Sequence, residues 1–235
     1  NELFTYVSGD ATPLYNSASE GATTVLHASR SLVWLKPDFI LVYDRAKTNG
    51  ERYTKRWWLQ LAQPAIVNGQ QALSTTPGGQ QLFVTVLLPA NASLQAVNST
   101  EQFVEDTIAH HEPMQVRLMT EAPGAPATVQ MLHVLQGADG GVAASPVILV
   151  QSQDGLWEGG AVNDTLVLFT KTIGQSLVGS LIYSAPAGTN THIITGLAPD
   201  SGYDVQVTSN ANGVQVTVQP GAQLQTDAGG VLVIQ

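Results

Sequence analysis

Apolar and polar residues alternate with period two through most of this 235-residue chain, and no other feature restricts its fold as strongly. Stretches such as "VLHASRSLVWL", "FILVYDRA", "QLFVTVLLPA", "TVQMLHVLQ", "DTLVLFTK" and "GVQVTVQP" alternate between clusters of Gly, Pro, Asn and Asp that read as turns. Residues two apart share one face of a strand, so each segment carries an apolar face that must be covered. With many such strands, stacking two antiparallel sheets is the natural way to cover them. The expected fold is therefore all-β: a large antiparallel β-sandwich with a small C-terminal β layer or subdomain. The best helical candidate, "STEQFVEDTIAHH" at 99–111, starts on Ser/Thr with acidic residues early, but is short enough for a few turns at most.

Composition narrows the chemistry. The chain has no cysteine, which excludes disulfides, thiolate metal sites and thiol nucleophiles. Net charge is −9 and seven of the nine basic residues lie between Arg30 and Arg56, whereas a nucleic-acid partner requires a broader basic face. No apolar run reaches the roughly 18 residues of a bilayer-spanning helix, so no membrane insertion is expected. Only 11% of residues are charged, with Thr, Ser, Gln, Asn and Gly abundant, a profile commoner among exported bacterial proteins; the expected location is secreted, periplasmic or cell-surface. The opening "NELFTYVSGD" carries neither an initiator Met nor a leader, and reads as a processed protein or a piece of a longer one. Charge almost disappears after "YSAPAGTNT", which suggests a sandwich over 1–183 and a last β layer over 184–235. Within the latter, "GLAPDSGYDVQV" is similar to the corner of fibronectin type III domains in which a tyrosine ties a strand to its preceding loop.

The passage "VLHASRSLVWLKPDFILVYDR", residues 25 to 45, places charges in strands, where they are costly unless paired or used. Lys36, Pro37 and Asp38 are turn formers, and a three-residue turn pairs Leu35 with Phe39 and position i with 74 minus i. Arg30 then faces Asp44 on the face of Leu32, Val42, Trp34 and Ile40, as a semi-buried ion pair whose rupture by Arg30→Ala costs several kcal/mol. A turn of two or four residues reverses the parity. His27 then joins Asp44 on one face, and the two become candidate ligands of a zinc site.

Trp57 and Trp58 are adjacent, so one enters the core while the other faces outward, where an indole can stack on a sugar ring. Trp58, with Arg56 beside it, is the candidate on that strand, and Trp157 in the turn-rich "DGLWEGG" is a second platform; Trp34 is assigned to the core. His110 and His111 beside Glu112 read as a loop cluster, and His133 as a strand histidine that faces solvent or is hydrogen-bonded in the core. No Gly-x-Ser-x-Gly, P-loop, His-Glu-x-x-His or dinucleotide-binding glycine pattern is present.

Taken together, "TYVSGDATPLY", "HASRSLVWLKPDFILVYDR", "RWWLQL" and "MLHVLQ" resemble successive strands of the C-terminal β-sandwich of heparinase II/III-like polysaccharide lyases, from residue 4 to about 135. In that family a tyrosine and other polar residues of an N-terminal α/α toroid abstract the C5 proton of a uronic acid and expel the 4-linked sugar. The sandwich closes one side of the cleft and in several members holds zinc through histidines and an aspartate. By resemblance His27 and Asp44 match two of those ligands. The third commonly sits in a Trp-x-x-His strand, where this chain has Trp57-Trp58-Leu59-Gln60, and glutamine is a poor zinc ligand. The resemblance thus implies a non-catalytic, cleft-closing portion of a larger exported protein, without lyase activity of its own; zinc is what the family would supply, and the departure at Gln60 leads to the expectation of no bound cofactor. Its implied partners are an acidic polysaccharide or an upstream α/α toroid of the same protein, with no nucleic acid. The alternative from another class is a carbohydrate-binding or adhesive cell-surface module with no enzymatic partner domain.

Overall fold

The computed structural model describes residues 2–16, 23–98, 116–210 and 213–235. The helical candidate at 99–111, and with it His110, His111 and Glu112, lies outside the described residues. Among the described residues strand accounts for 59% and helix for 2%, so the fold is all-β, built of stacked and almost wholly antiparallel sheets. No helix among the described residues is long and apolar enough to cross a membrane. Two compact units, 1–144 and 145–235, divide the chain. The composition change near 183–184 falls instead inside a strand of the second unit, Leu181–Pro186.

The first unit contains β1 (Phe4–Asp10), α1 (Thr12–Tyr15), β2 (Val25–Leu35), β3 (Phe39–Thr48), β4 (Arg56–Leu61), β5 (Ala65–Asn68), β6 (Gln71–Thr75), β7 (Gln81–Leu88), β8 (Ser93–Asn98), β9 (Val116–Glu121) and β10 (Thr128–Ala138). Seven strands form one sheet in the order β1-β2-β3-β10-β7-β6-β5, and three form another in the order β4-β9-β8. The small sheet turns Trp57, Leu61, Leu94 and Leu118 onto Ala72, Val84, Val86, Val129 and Met131 of the large one. β10 is the central strand, paired with β3 on one side and β7 on the other, so both of its faces are buried along most of its length. Three strands cannot cover seven, and that mismatch positions the site.

The second unit contains β11 (Val147–Gln151), β12 (Trp157–Val162), β13 (Thr165–Thr170), β14 (Leu181–Pro186), β15 (Thr191–Ile194), β16 (Gly202–Asn210), β17 (Gly213–Pro220), β18 (Leu224–Gln225) and β19 (Leu232–Ile234). Its sheets run β11-β12-β13-β15-β19 and β14-β17-β16-β18, with β13 and β15 parallel. Between them lies a core of Leu166, Leu168, Leu181, Tyr183, Ile194, Val216, Val218 and Leu232. All six residues of β12 are buried, although "WEGG" reads in sequence as part of a loop. The glycines are what let the strand fit: a Cβ on Gly159 would stand 1.7 Å from the Val167 carbonyl oxygen on β13. The tyrosine corner forms as its motif suggests, with the Tyr203 hydroxyl accepting a hydrogen bond from the Ala198 amide at 3.3 Å.

Candidate functional site

β2 and β3 pair in the register of the three-residue turn, with Leu35 opposite Phe39, Leu32 opposite Val42 and Arg30 opposite Asp44. Arg30 Nε donates to Asp44 Oδ1 at 2.7 Å and Nη2 to Oδ2 at 3.2 Å, a bidentate pair. The pair is more open than the sequence suggests. Arg30's side chain is 53% exposed and that of Asp44 20%, because their face of the large sheet is covered by the small sheet over β10 but bare over β2. Burial raises the Asp44 pKa, and Arg30 opposes the rise. Trp34, assigned to the core from sequence, lies on the same bare face and is 40% exposed.

His27 belongs to the opposite face. Its Nε2 shares a 2.8 Å hydrogen bond with Ser29 Oγ, along a polar row in which Arg45 Nη1 donates to Ser31 Oγ at 2.9 Å. His27 and Asp44 therefore do not converge on one point, and Gln60 belongs to the other sheet, exposed on β4. These residues do not fit the zinc site of the resembling family. Sequence reading passed over Arg45, which is buried and lies 4.4 Å from the Tyr43 ring centre. The signal was available: Ser31, Tyr43 and Arg45 share a face in the same register that pairs Arg30 with Asp44.

On β4 the two tryptophans divide as adjacent strand residues must. Trp57 points into the core and stacks on His133 with ring centres 3.8 Å apart and planes 12° from parallel. His133 is fully buried and shares a 3.0 Å hydrogen bond with Thr120 Oγ1. Burial, with the charge of Arg30 adding to it, pushes its pKa down to about 3, so the ring is neutral at ordinary pH. Trp58 points outward and is half-buried, with the Arg117 guanidinium 4.4 Å from its ring centre. Arg56 pairs with Glu121 across the strands, and Gln60 lies opposite Arg117. The outward face of β4 and β9 thus brings together an indole, two guanidiniums, a carboxylate and an amide, groups suited to hydroxyls and acidic substituents.

Trp157 does not join them. It lies in β12 of the second unit, 3% exposed, its Nε1 donating to the Thr195 carbonyl at 3.1 Å. An indole so enclosed offers no face to a sugar, so Trp157 is a core residue and not a binding platform. Two buried polar pairs in the second unit also escaped the sequence reading. Glu158 is buried against Lys171 Nζ at 2.9 Å and accepts from Gln151 Nε2 at 3.0 Å. Tyr183 and His192 share a 3.0 Å hydrogen bond, and burial raises the tyrosine's pKa and lowers the histidine's.

No family model and no curated protein matches the sequence. Solved structures do match. Heparan sulfate lyase HepC from Pedobacter heparinus superposes with a TM-score of 0.51 at 16% identity, over 74% of this chain and 27% of that one. A crystal structure of heparinase III gives 0.52 at 11% identity, over 73% of this chain and 26% of that one. The likeness is one of fold. This chain has the fold of a heparinase-like β-sandwich and spans about a quarter of the length of those lyases.

Proposed function

We propose that this chain is the non-catalytic, cleft-closing β-sandwich of a larger exported, heparinase-like protein acting on or near an acidic polysaccharide. The observation that carries the reading is the fold likeness itself, which accounts for about a quarter of each lyase chain and leaves the remaining three quarters to other domains of such a protein. In this reading the proton-abstracting tyrosine belongs to an α/α toroid of the parent, and this chain contributes the outward face of β4, with Arg56 and Trp58, as one wall of the cleft. Incubated with heparan sulfate, the 235-residue chain is expected to release no unsaturated uronate products, which are detected by the ultraviolet absorption of their conjugated double bond. Their release would make the chain itself the enzyme. The second reading, a carbohydrate-binding or adhesive module without an enzymatic partner, is favoured by the same Trp58–Arg117 stack. The residues encoded upstream discriminate: amphipathic helices of a toroid support the first, tandem β repeats the second.

A further inference from the structure

The large sheet of the first unit is covered unevenly on the side where the small sheet lies. Val42 and His133, under Trp57, are buried; Ile40 and Asp44 on β3 are half-buried; Trp34 and Arg30 on β2 are exposed, and Val7 on the edge strand β1 is 59% exposed. On the other side of the same strands, Phe4, Ser29, Ser31, Val33 and Leu35 are all buried. β1 and β2 therefore project beyond the small sheet as a ledge with one bare face, and β4 is the strand of the small sheet nearest to it, since Trp57 of β4 covers β10.

The ledge is preorganised. Trp34 is pinned through Nε1, which donates to the Pro37 carbonyl at 3.0 Å, and the Lys36 ammonium lies 5.7 Å from its ring centre. Four residues along the strand, about 13 Å at a strand's rise per residue, Arg30 is held by both oxygens of Asp44. A guanidinium has five N–H donors. Two are engaged by Asp44, and the rest of this half-exposed group is oriented at no further entropic cost. Val7 and Leu32 fill the space between, Val7 facing Leu32 across the strand pair.

We propose that this ledge is a sugar-binding site for a carboxylated pyranose chain, with Trp34 stacking on the C–H face of one ring and Arg30 donating to the carboxylate of a ring two or three units further along the chain. An immobilised indole matches the apolar face of a pyranose, and a guanidinium fork matches a carboxylate. A protein partner seated here would have to desolvate Arg30 and Asp44 together, which a hydrated polysaccharide does not require. The site rests on the reading of the chain as polysaccharide-associated for the class of polymer. It adds contact residues, Trp34 and Arg30, separate from Trp58 and Arg56.

The test is fluorescence titration of the 235-residue chain with a size-defined heparan sulfate oligosaccharide and with its carboxyl-reduced counterpart. Trp34→Ala is expected to weaken binding at least about tenfold, Trp34→Phe to retain most of it, and carboxyl reduction to remove the effect of Arg30→Ala. Circular dichroism confirms that each variant is folded. Binding lost in Trp58→Ala but unchanged in Trp34→Ala would overturn this site and leave the functional reading standing; no binding by the unaltered chain would overturn both. Equal affinity for the carboxyl-reduced oligosaccharide would overturn the assignment to a carboxylate. A concentration-dependent dimer in sedimentation that Trp34→Ala dissolves would show that the ledge serves self-association instead.

Discussion

The two units are both sandwiches, and both bury polar residues, yet only the first leaves an ion pair and an indole at an uncovered margin. In the first, three strands lie over seven, so one sheet extends past its cover and presents Arg30, Asp44 and Trp34 at a bare margin. In the second, five strands lie over four, and Glu158, Tyr183 and His192 are enclosed, with Lys171 reaching in to Glu158 from the surface. The first unit also holds every basic residue except Lys171. Layer mismatch leaves residues of the wider sheet uncovered, whereas layer match encloses the same residue types. The difference teaches that an indole or an ion pair cannot be assigned a role from its neighbours in sequence alone.

The tryptophans differ most between the two units. Trp157→Ala removes a buried indole and leaves its cavity, and is expected to destabilise the second unit by about 4 kcal/mol in urea unfolding, with no direct effect on sugar affinity. Trp58→Ala should cost at most about 1 kcal/mol, in the range of substitutions outside the core. A near-neutral Trp157→Ala would return that residue to the list of surface platforms.

The ion pairs are the next contrast. Lys171→Met leaves the buried Glu158 carboxylate without this cation, and should cost about 3 kcal/mol by the same measurement. Arg30→Ala should cost only about 1 kcal/mol, since the guanidinium is half in solvent. That is less than the semi-buried pair expected from the sequence. Equal losses for the two substitutions would mean that the ledge is covered in solution.

The smallest expected effect is on pH dependence. His133 has a folded-state pKa of about 3 against an ordinary 6.5, so below about pH 6.5 the unfolded chain binds the proton that the folded one refuses. Its contribution is therefore complete above that range and is lost as pH falls, by under about 1 kcal/mol between pH 7 and pH 6. Asp44, raised by burial, acts with the opposite sign at lower pH. His133→Phe should flatten the first unit's profile near pH 6, while the lowered His192 keeps a slope of the same sign in the second. A profile unchanged by His133→Phe would place the sensitivity elsewhere.

The sequence by itself determined what depends on near neighbours. Period-two alternation specified an all-β chain because side-chain direction repeats every second residue, and the Lys36-Pro37-Asp38 turn set the pairing of Arg30 with Asp44 because loop length dictates register. The alternation of Trp57 and Trp58 between core and surface was legible for the same reason, as was the Tyr203 corner. Tertiary structure alone decided which face each register would bury. Whether Arg30 and Trp34 are core or margin depends on the width of a sheet whose strands lie tens of residues away, and nothing local to β2 encodes that width. β12 shows the converse: its glycines look like a loop until β13 is placed beside it, when the close approach at Gly159 explains the glycine and the core between the two sheets takes in Trp157.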